Sequence, residues 1–275
     1  MHPLDSSLDL DAFWRTVASA PRRALLLDFD GTLAPFSVDR LRPRMRDGAA
    51  DALDRIALSG ATRLAIVTGR GARELAALLP PGLRAEIWGS HGLEHLDASG
   101  AYEAPSPSPA MAAVRDAAAE WVRERGHEPN LEIKPYGFAL HRRADPAAFD
   151  GLRPEVLGRW RGDAARAGLD LLEFDGGFEF RPTGRHKGEV VRRILDEEGP
   201  GAAAAYLGDD WTDEDAFRAL DGMGLSVLVR VEPRDTAARA WMPPQDLAGF
   251  LLRWAEALHP SLKEGPPRGP IRRTP

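Results

Sequence analysis

Short apolar runs that end abruptly in polar or glycine residues are the feature that most constrains how this chain can fold. Such runs occupy 24–27, 64–67 and 204–207. A continuous apolar run of this length, without polar alternation, is typical of a strand buried on both faces of a parallel sheet. Residues with helical spacing separate the runs. The sequence therefore predicts an α/β fold with a Rossmann-like, doubly wound parallel sheet.

The other helices and strands are predicted from the same periodicities. Helical spacing covers 1–20, 43–58, 71–79, 109–125, 146–167, 187–197, 213–220, 233–241 and 245–258. Apart from the three runs, strand-like segments are 85–88, 131–134, 137–142, 169–174, 178–181 and 224–230.

The middle of the chain differs in pattern from both ends. Residues 97–109 are rich in Ser, Pro, Gly and Ala, a composition typical of a connector, and paired strands alternate with single helices beyond them. We therefore predict that an α+β subdomain at 97–181 is inserted between two parts of the core, 1–96 and 182–258. The last segment, 259–275, is rich in proline and has no apolar periodicity, and we expect it to be a disordered tail.

The composition excludes several classes of protein. The chain has no cysteine, which rules out disulfides, thiolate metal sites and cysteine nucleophiles. No stretch of about 18 apolar residues is present to span a membrane. The acidic N-terminal segment lacks the features of a secretory signal, so we expect a cytoplasmic protein. A net charge of -6 without a basic stripe argues against a nucleic-acid partner.

Two acids, Asp28 and Asp30, follow the first apolar run in the sequence Asp-Phe-Asp-Gly-Thr. The carboxyl end of a buried strand is where α/β sheets bind ligands. Two carboxylates about 4 Å apart repel by roughly 4 kcal/mol at an effective dielectric of about 20, and a divalent cation is the usual means of offsetting this repulsion. Taken alone, the motif also fits a turn in which one Asp is a cap and the other is ion-paired.

Two further motifs indicate an anion site. Thr68-Gly69-Arg70 offers a hydroxyl, backbone N–H groups and a helix N-terminus, although the same residues are common in turns and caps. Lys187 opens a helix, where its charge opposes the local dipole. The chain has 36 Lys and Arg residues, and its lysines are Lys134, Lys187 and Lys263. This scarcity of lysine favours a ligand role for Lys187.

An acidic cluster follows the third apolar run, where five of the seven residues at 209–215 are acidic. Helix capping by Thr212 or Asp213 and first-turn positions for Glu214 and Asp215 account for part of it. Asp209 and Asp210, which lie nearest the strand, remain and fit oxygen ligands for a hard cation.

The motifs Asp-x-Asp-Gly-Thr, Thr-Gly-Arg, Lys and Gly-Asp-Asp-x-x-Asp together resemble those of the haloacid dehalogenase superfamily of phosphohydrolases. Within it, the chain is similar to the trehalose-6-phosphate phosphatase family, with further matching segments at 89–94, 132–134, 179–182 and 208–214. The resemblance covers about 22–258. Ser90 is a departure, because that family often carries Asn before His-Gly.

The resemblance implies a role for each motif, with Asp28 as the catalytic nucleophile and Asp30 as the general acid and base. In the implied site, phosphate is bound by Thr68, Gly69, Arg70 and Lys187; the substrate by His91, Glu132, Lys134 and Glu179; Mg²⁺ by Asp28, the backbone carbonyl of Asp30 and Asp209; and Asp210 and Asp213 support these groups. The implied substrate is a small-molecule sugar phosphate, trehalose 6-phosphate, hydrolysed through an aspartyl phosphate under the inserted subdomain, which acts as a cap. The implied functional partner is a trehalose-6-phosphate synthase.

Other functions stay open at this point. A phosphatase for sucrose, mannosylglycerate or hexose phosphates would share every core motif and differ only in the cap, and a non-catalytic sugar-phosphate sensor belongs to another class. The phosphorylation domain of an ion pump is disfavoured, because such domains place Thr where this chain has Asp30. His91-Gly92-Leu93-Glu94-His95 matches a zinc-protease pattern that requires a helix, and the turn residues at 97–100 leave no room for one.

Without the resemblance, the charged residues of the inserted segment have two possible roles. Glu132 and Lys134 alternate on one strand and Glu179 lies on a later strand, which fits either contacts to sugar hydroxyls or an exposed sheet face with cross-strand ion pairs. We expect His141 and Arg142 to lie at a solvated strand end.

Overall fold

The computed structural model describes residues 1–36, 43–142, 145–174 and 176–258. The predicted tail at 259–275 lies outside the described residues. In the part of the chain that is described, no helix is both long and apolar enough to span a bilayer.

Helices and strands alternate along most of these residues. The α-helices are α1 (Leu10–Ser19), α2 (Ala49–Ser59), α3 (Ala72–Leu78), α4 (Pro109–Glu124), α5 (Pro146–Arg166), α6 (Lys187–Glu198), α7 (Glu214–Ala219) and α8 (Leu247–Ala257). The strands are β1 (His2–Pro3), β2 (Arg23–Leu27), β3 (Arg63–Val67), β4 (Glu86–Gly89), β5 (Glu94–Leu96), β6 (Tyr102–Glu103), β7 (Leu131–Lys134), β8 (Gly137–His141), β9 (Leu169–Phe174), β10 (Gly177–Pro182), β11 (Ala203–Gly208), β12 (Leu225–Val229) and β13 (Ala240–Met242).

The larger sheet has the strand order β1-β13-β12-β11-β2-β3-β4-β5-β6, and its centre from β13 to β4 is parallel. Both faces are buried, as the apolar runs predict. Leu25 and Leu27 pack into a cluster with α1, α2 and α8, whereas Ala24 and Leu26 pack into a second cluster with α6 and α7. Alternate residues of one strand therefore belong to two hydrophobic cores, and the predicted doubly wound α/β architecture is confirmed.

Neighbouring strands end at the same edge of this sheet. Leu27 is paired with Leu207 of β11 and with Ile66 of β3. The backbone N–H of Asp28 donates to Leu207 O at 2.9 Å. The residues that follow β2, β3 and β11 are consequently brought side by side at the carboxyl edge, where the polar motifs lie.

The smaller sheet is antiparallel, with the order β7-β8-β10-β9. Phe138, Phe178 and Phe180 on one face are buried against α4 and α5. Because side chains alternate along a strand, Glu132, Ala139 and Glu179, which are directly paired across β7, β8 and β10, share the opposite face. The separate antiparallel sheet is consistent with the predicted cap, while the boundaries at 97 and 181 stay a prediction.

Several element boundaries differ from the sequence predictions. The helix predicted at 1–20 begins at Leu10, and the one predicted at 43–58 begins at Ala49. The connector at 97–109 contains strand β6, which pairs with β5. The helix predicted at 233–241 is wrong: Ala238, Ala240 and Met242 are buried with partly exposed residues between them, and this period of two forms strand β13.

Candidate active site

A buried group of charges lies where β2 and β11 end. The Nζ of Lys187, the first residue of α6, donates to Asp28 Oδ1 at 2.6 Å and to Asp213 Oδ1 at 2.7 Å. The side chains of Lys187, Asp28 and Asp213 are 3%, 6% and 0% exposed. Lysine at a helix N-terminus is unfavourable for the helix, and here the two carboxylates offset that cost.

Both oxygens of the Asp213 carboxylate accept two hydrogen bonds each. Its Oδ1 accepts from Lys187 and, at 2.6 Å, from the hydroxyl of Tyr206. Its Oδ2 accepts from the backbone N–H groups of Asp209 and Asp210 at 3.0 Å each. A carboxylate has about four acceptor positions. Asp213 therefore fixes the loop after β11 and orients Lys187, and it has no acceptor position left for a metal.

Asp28 and Asp209 are the carboxylates that remain for a cation. Oxygen atoms of Asp28, Asp209 and Asp213 lie within 4.8 Å of one another. When all three carboxylates are ionised, they exceed the single ammonium of Lys187 by two negative charges, which matches a divalent cation. The donor set consists of oxygen atoms only, as hard cations such as Mg²⁺ prefer.

The pKa values of these groups reflect the surplus of buried negative charge. Burial raises the pKa of Asp28 to about 7, although Lys187 acts in the opposite direction. Burial and the charge of Asp28 also raise the pKa of Asp209 well above its usual range. Burial lowers the pKa of Lys187, but Asp213 and Asp28 raise it by more, so Lys187 stays protonated.

Gly31 leaves the space that the carboxylate of Asp209 occupies. Its φ is +94°, and a Cβ at this position would lie 2.0 Å from Asp209 Oδ2. The hydroxyl of Thr32 donates to the other oxygen of Asp209 at 3.3 Å. The Gly-Thr pair after Asp30 thus forms a cradle for Asp209, which accounts for both residue types in the motif.

Asp30 is held by an arginine rather than by the charge group around Lys187. Arg70 donates from Nε and Nη2 to the two oxygens of Asp30 at 2.7 and 2.8 Å, and from Nη1 to Glu74 at 2.8 Å. The Arg70 side chain is only 3% exposed, so both ion pairs are shielded from solvent on that side. The predicted contact of Arg70 with phosphate stays a prediction, whereas its observed contacts orient Asp30.

The loop between β3 and α3 forms the next part of the site. The Thr68 hydroxyl accepts from the backbone N–H of Arg70 at 3.1 Å. The buried carboxylate of Glu94 accepts from the backbone N–H of Ala72, the first residue of α3, at 3.0 Å, and from the Ser90 hydroxyl. Glu94 therefore caps α3 and holds the loop at 68–71 against the turn that carries His91.

His91 has a strained backbone and a buried side chain. Ser90 and His91, with φ of 48° and 58°, are the non-glycine residues of the described ranges that have positive φ. Burial lowers the pKa of His91 to about 4, so the imidazole is neutral near pH 7. Its Nε2 lies 3.4 Å from Glu179 Oε2 on the smaller sheet. The turn at Ser90–Gly92 thus directs a neutral ring toward the smaller sheet.

Glu179 and Lys134 connect the two sheets. Lys134 Nζ donates to Glu179 Oε2 at 2.6 Å and to the backbone carbonyl of Gly69 at 3.2 Å. Although burial raises the pKa of Glu179, the positive charge of Lys134 and the contact with His91 lower it to about 2. Glu179 is therefore an ionised acceptor. The smaller sheet contacts the rest of the site at Gly69 through Lys134 and at His91 through Glu179.

Glu132 and His141 form a second pair on the smaller sheet. His141 Nε2 lies 2.6 Å from Glu132 Oε2, and the two side chains are 13% and 12% exposed. The expectation that His141 lies at a solvated strand end is wrong. Its register on β8 gives it the same face as Glu132, which is turned toward the larger sheet.

A single cavity brings most of the predicted site residues together. The residues that line it are Asp28, Asp30, Phe36, Thr68, Gly69, Arg70, His91, Glu132, Lys134, His141, Phe174, Gly176, Glu179, Lys187, Asp210 and Thr212. Of the predicted residues, Asp209 and Asp213 are absent from this lining. Asp213 belongs to the charge group around Lys187, and Asp209 lies beside that group. His95 lies outside the cavity and is stacked on Trp88. The two histidines of the zinc-protease pattern, His91 and His95, therefore do not share a site.

A family model described as trehalose-phosphatase matches residues 26–239. The chain belongs to this family. It is 34% identical over 255 residues to the trehalose-phosphate phosphatase of Mycobacterium marinum, covering 87% of this chain and 63% of that relative. It is 30% identical over 248 residues to the trehalose-6-phosphate phosphatase of Escherichia coli, covering 88% of each. The chain thus spans less than two thirds of the length of the mycobacterial relative.

Solved structures agree with the family assignment at the level of the fold. The C-terminal domain of the trehalose-6-phosphate phosphatase of Candida albicans matches with a TM-score of 0.76 at 22% identity, covering 93% of this chain and 99% of that domain. Haloacid dehalogenase proteins of known structure share the fold as well. Because the match covers 93% of this chain, it extends over both of its sheets.

Three site residues of this family member were missed by the sequence analysis. Tyr206 is a polar residue inside the apolar run of β11, and that position was a signal that its hydroxyl needs a buried partner. Glu94 was noted only as part of a motif, and its capping role depends on a contact with a different segment. Nothing in the sequence indicated that His141 contacts Glu132, because the two residues share a face only through the pairing of β7 with β8.

Proposed function

We propose that the chain is an Mg²⁺-dependent phosphatase that hydrolyses trehalose 6-phosphate to trehalose and inorganic phosphate. The observation that carries this proposal is the position of Asp28, beside Lys187 on one wall of a cavity whose other wall is formed by charged residues of the smaller sheet. Membership of the trehalose-phosphatase family supports the same substrate.

The reaction proceeds in two steps at Asp28. The carboxylate of Asp28 attacks phosphorus and forms an aspartyl phosphate, while Asp30 donates a proton to the sugar oxygen that leaves. Asp30 then accepts a proton from a water molecule, whose oxygen attacks phosphorus and releases inorganic phosphate. Asp28 is regenerated as a carboxylate, and Asp30 is protonated again for the next cycle. The contacts of Arg70 keep Asp30 on the cavity wall.

The remaining polar groups stabilise charge on the phosphoryl oxygens. Lys187 supplies an ammonium, and Thr68 and the backbone of Gly69 supply hydrogen bonds, which is the positioning that phosphoryl transfer requires. Asp28, Asp209 and the backbone carbonyl of Asp30 would hold Mg²⁺, which would supply additional positive charge to offset that of the phosphoryl oxygens. Asp210 and Asp213 support this arrangement through the loop after β11.

The cap at 97–181 selects the sugar. Glu132, Lys134 and Glu179 line the cavity, and carboxylate and ammonium groups bind sugar hydroxyls strongly when water is excluded. His91 adds a neutral imidazole from the core side. The proposed substrate also implies a trehalose-6-phosphate synthase as its source, which is the functional link that we expect.

Phosphate release from a panel of sugar phosphates, with and without Mg²⁺, tests the proposal. We expect trehalose 6-phosphate to be turned over fastest and only with Mg²⁺. The control is Asp28→Asn, which should lower turnover by roughly a thousandfold or more, because the covalent route is lost. Equal turnover across the panel would contradict the substrate assignment, and no phosphate release from any member would favour a sugar-phosphate sensor.

A further inference from the structure

His141 and Phe174 occupy one cross-strand row of the smaller sheet. Gly177 of β10 is paired with His141 of β8 on one side and with Phe174 of β9 on the other. All three residues therefore project from the same face, which is the face that lines the cavity.

Gly177 allows β8 and β10 to approach closely at this row. A Cβ at Gly177, whose φ is +154°, would lie 1.9 Å from the backbone oxygen of Leu140, so no larger residue fits between the strands. The rings of His141 and Phe174 approach to 5.6 Å between centroids with an interplanar angle of 58°. Phe174 thus restricts the orientation of the imidazole over the glycine.

The imidazole in this orientation contacts Glu132 across the sheet. The distance of 2.6 Å between His141 Nε2 and Glu132 Oε2 is that of a short, charge-assisted hydrogen bond. Both side chains are mostly shielded from solvent, which strengthens the bond relative to one at the surface. A carboxylate offers about four acceptor positions, so one hydrogen bond from His141 does not use up the capacity of Glu132, which lines the cavity.

We propose that His141 is a positioning residue that determines sugar specificity. It holds the carboxylate of Glu132 on the cavity wall so that Glu132 accepts hydrogen bonds from the sugar hydroxyls. The observed side-chain contacts of His141 are with Glu132 and Phe174 of the smaller sheet, so its role concerns the sugar and not the phosphoryl group. This inference rests on the proposed function, because it assigns a residue to the sugar end of that site.

Steady-state kinetics with two substrates test the role of His141. In His141→Leu, we expect the KM for trehalose 6-phosphate to rise about tenfold, which corresponds to about 1.4 kcal/mol, with little change in kcat. The kcat/KM for p-nitrophenyl phosphate, which has no sugar, should stay within about twofold of wild type. His141→Gln carries an amide N–H at the position of Nε2 and should restore most of the KM.

A matched control comes from another histidine–glutamate pair. His95 Nε2 lies 3.3 Å from Glu86 Oε2, and both residues are outside the cavity. His95→Leu removes the same group from the same kind of contact and should leave the ratio of the two kcat/KM values unchanged. A KM change of equal size in His95→Leu and His141→Leu would show a general structural effect and overturn the proposal.

Binding of the free sugar gives a readout that does not depend on turnover of a sugar ester. Trehalose should inhibit hydrolysis of p-nitrophenyl phosphate, with an inhibition constant about tenfold higher in His141→Leu and near the wild-type value in His141→Gln. Unchanged constants in both variants would overturn the role of His141 while leaving the proposed function intact. A wild-type protein that neither hydrolyses trehalose 6-phosphate nor binds trehalose would instead contradict the proposed function itself.

Discussion

At the scale of single residues, Asp213 is a buried charge that stabilises the structure around it by accepting hydrogen bonds. The motif after β11 predicts Thr212 or Asp213 as a helix cap. In the structure, the two oxygens of Asp213 accept from Lys187, Tyr206 and two backbone N–H groups. Each donor would lose its buried partner if the carboxylate were removed. Unpartnered buried groups are costly, so the stability of this edge of the sheet depends on one side chain.

Replacing Asp213 tests this dependence. Asp213→Asn should lower the free energy of unfolding by about 3–5 kcal/mol, because an amide leaves Lys187 buried with one carboxylate fewer and turns a donor toward other donors. The control is Asp215→Asn, two residues along the chain, where the side chain is 40% exposed and the change should stay within about 0.5 kcal/mol. Urea denaturation of the two variants measures both values, and equal losses would contradict the role of Asp213.

His91 provides a second prediction at this scale, from its pKa of about 4 against an ordinary value of 6.5. Between these values the unfolded chain binds a proton that the folded protein does not. The stability that neutral His91 contributes is complete above pH 6.5 and is lost as the pH falls toward 4. From pH 7 to pH 5 this loss amounts to about 2 kcal/mol.

His91→Asn removes the titrating group and keeps a residue that tolerates positive φ. Between pH 7 and pH 5, the free energy of unfolding of this variant should fall by about 2 kcal/mol less than that of wild type. Glu179, with a pKa near 2, titrates below this range in both proteins. Guanidinium titrations at the two pH values measure the difference, and parallel falls in the two proteins would refute the neutral, buried state of His91.

At the scale of elements, strands buried on both faces were predicted best, because their apolar runs reflect burial directly. The ends of β2 and β11 placed Asp28 and Asp209 correctly at one edge. Strand β13 was missed because its segment, rich in small residues, fits helical spacing until the pairing with β12 is known. The contact of Glu132 with His141 also depends on strand pairing. His141 lies on β8, and the local sequence does not show the register in which β8 pairs with β7.

Gly177 tests the pairing of β8 with β10. Gly177→Ala should lower the free energy of unfolding by about 2–5 kcal/mol, because its Cβ would overlap the Leu140 carbonyl at a positive φ. Gly158→Ala in α5 is the control: its Cβ would meet nothing within 4 Å, and it should stabilise the protein by up to about 1 kcal/mol. Chemical denaturation measures both, and a tolerated Gly177→Ala would mean that the two strands are not paired in this register.

At the scale of the whole molecule, the site exists only where distant segments meet. Lys187 and Asp28 are 159 residues apart in the chain, and Lys134 reaches Gly69 from a different sheet. The types of residue at each strand end, and therefore the kind of chemistry, could be predicted from the sequence. The ion pair of Arg70 with Asp30 and the contact of His141 with Glu132 could not, because both depend on how separate segments pack.

The surplus of buried negative charge links metal binding to the stability of the whole fold. A cation that binds only the folded protein stabilises it by about 2.7 kcal/mol at a hundredfold excess over its dissociation constant. For a chain of this size, a gain of this magnitude raises the melting temperature by roughly 5–10 °C. Mg²⁺ should therefore raise the melting temperature of wild type, and a chelator should reverse the shift.

Two neighbouring variants separate a metal ligand from a structural acid. Asp209→Asn should lose most of the Mg²⁺ shift, since Asp209 and Asp28 are the carboxylates with acceptor positions left for the ion. Asp210→Asn should keep it, because Asp210 accepts from the N–H of Trp211 as a cap and asparagine caps equally well. Differential scanning fluorimetry across a Mg²⁺ titration measures both shifts. If Asp209→Asn retains the full shift, the ion binds elsewhere, and the pairing of β2 with β11 has brought its two acids together for another reason.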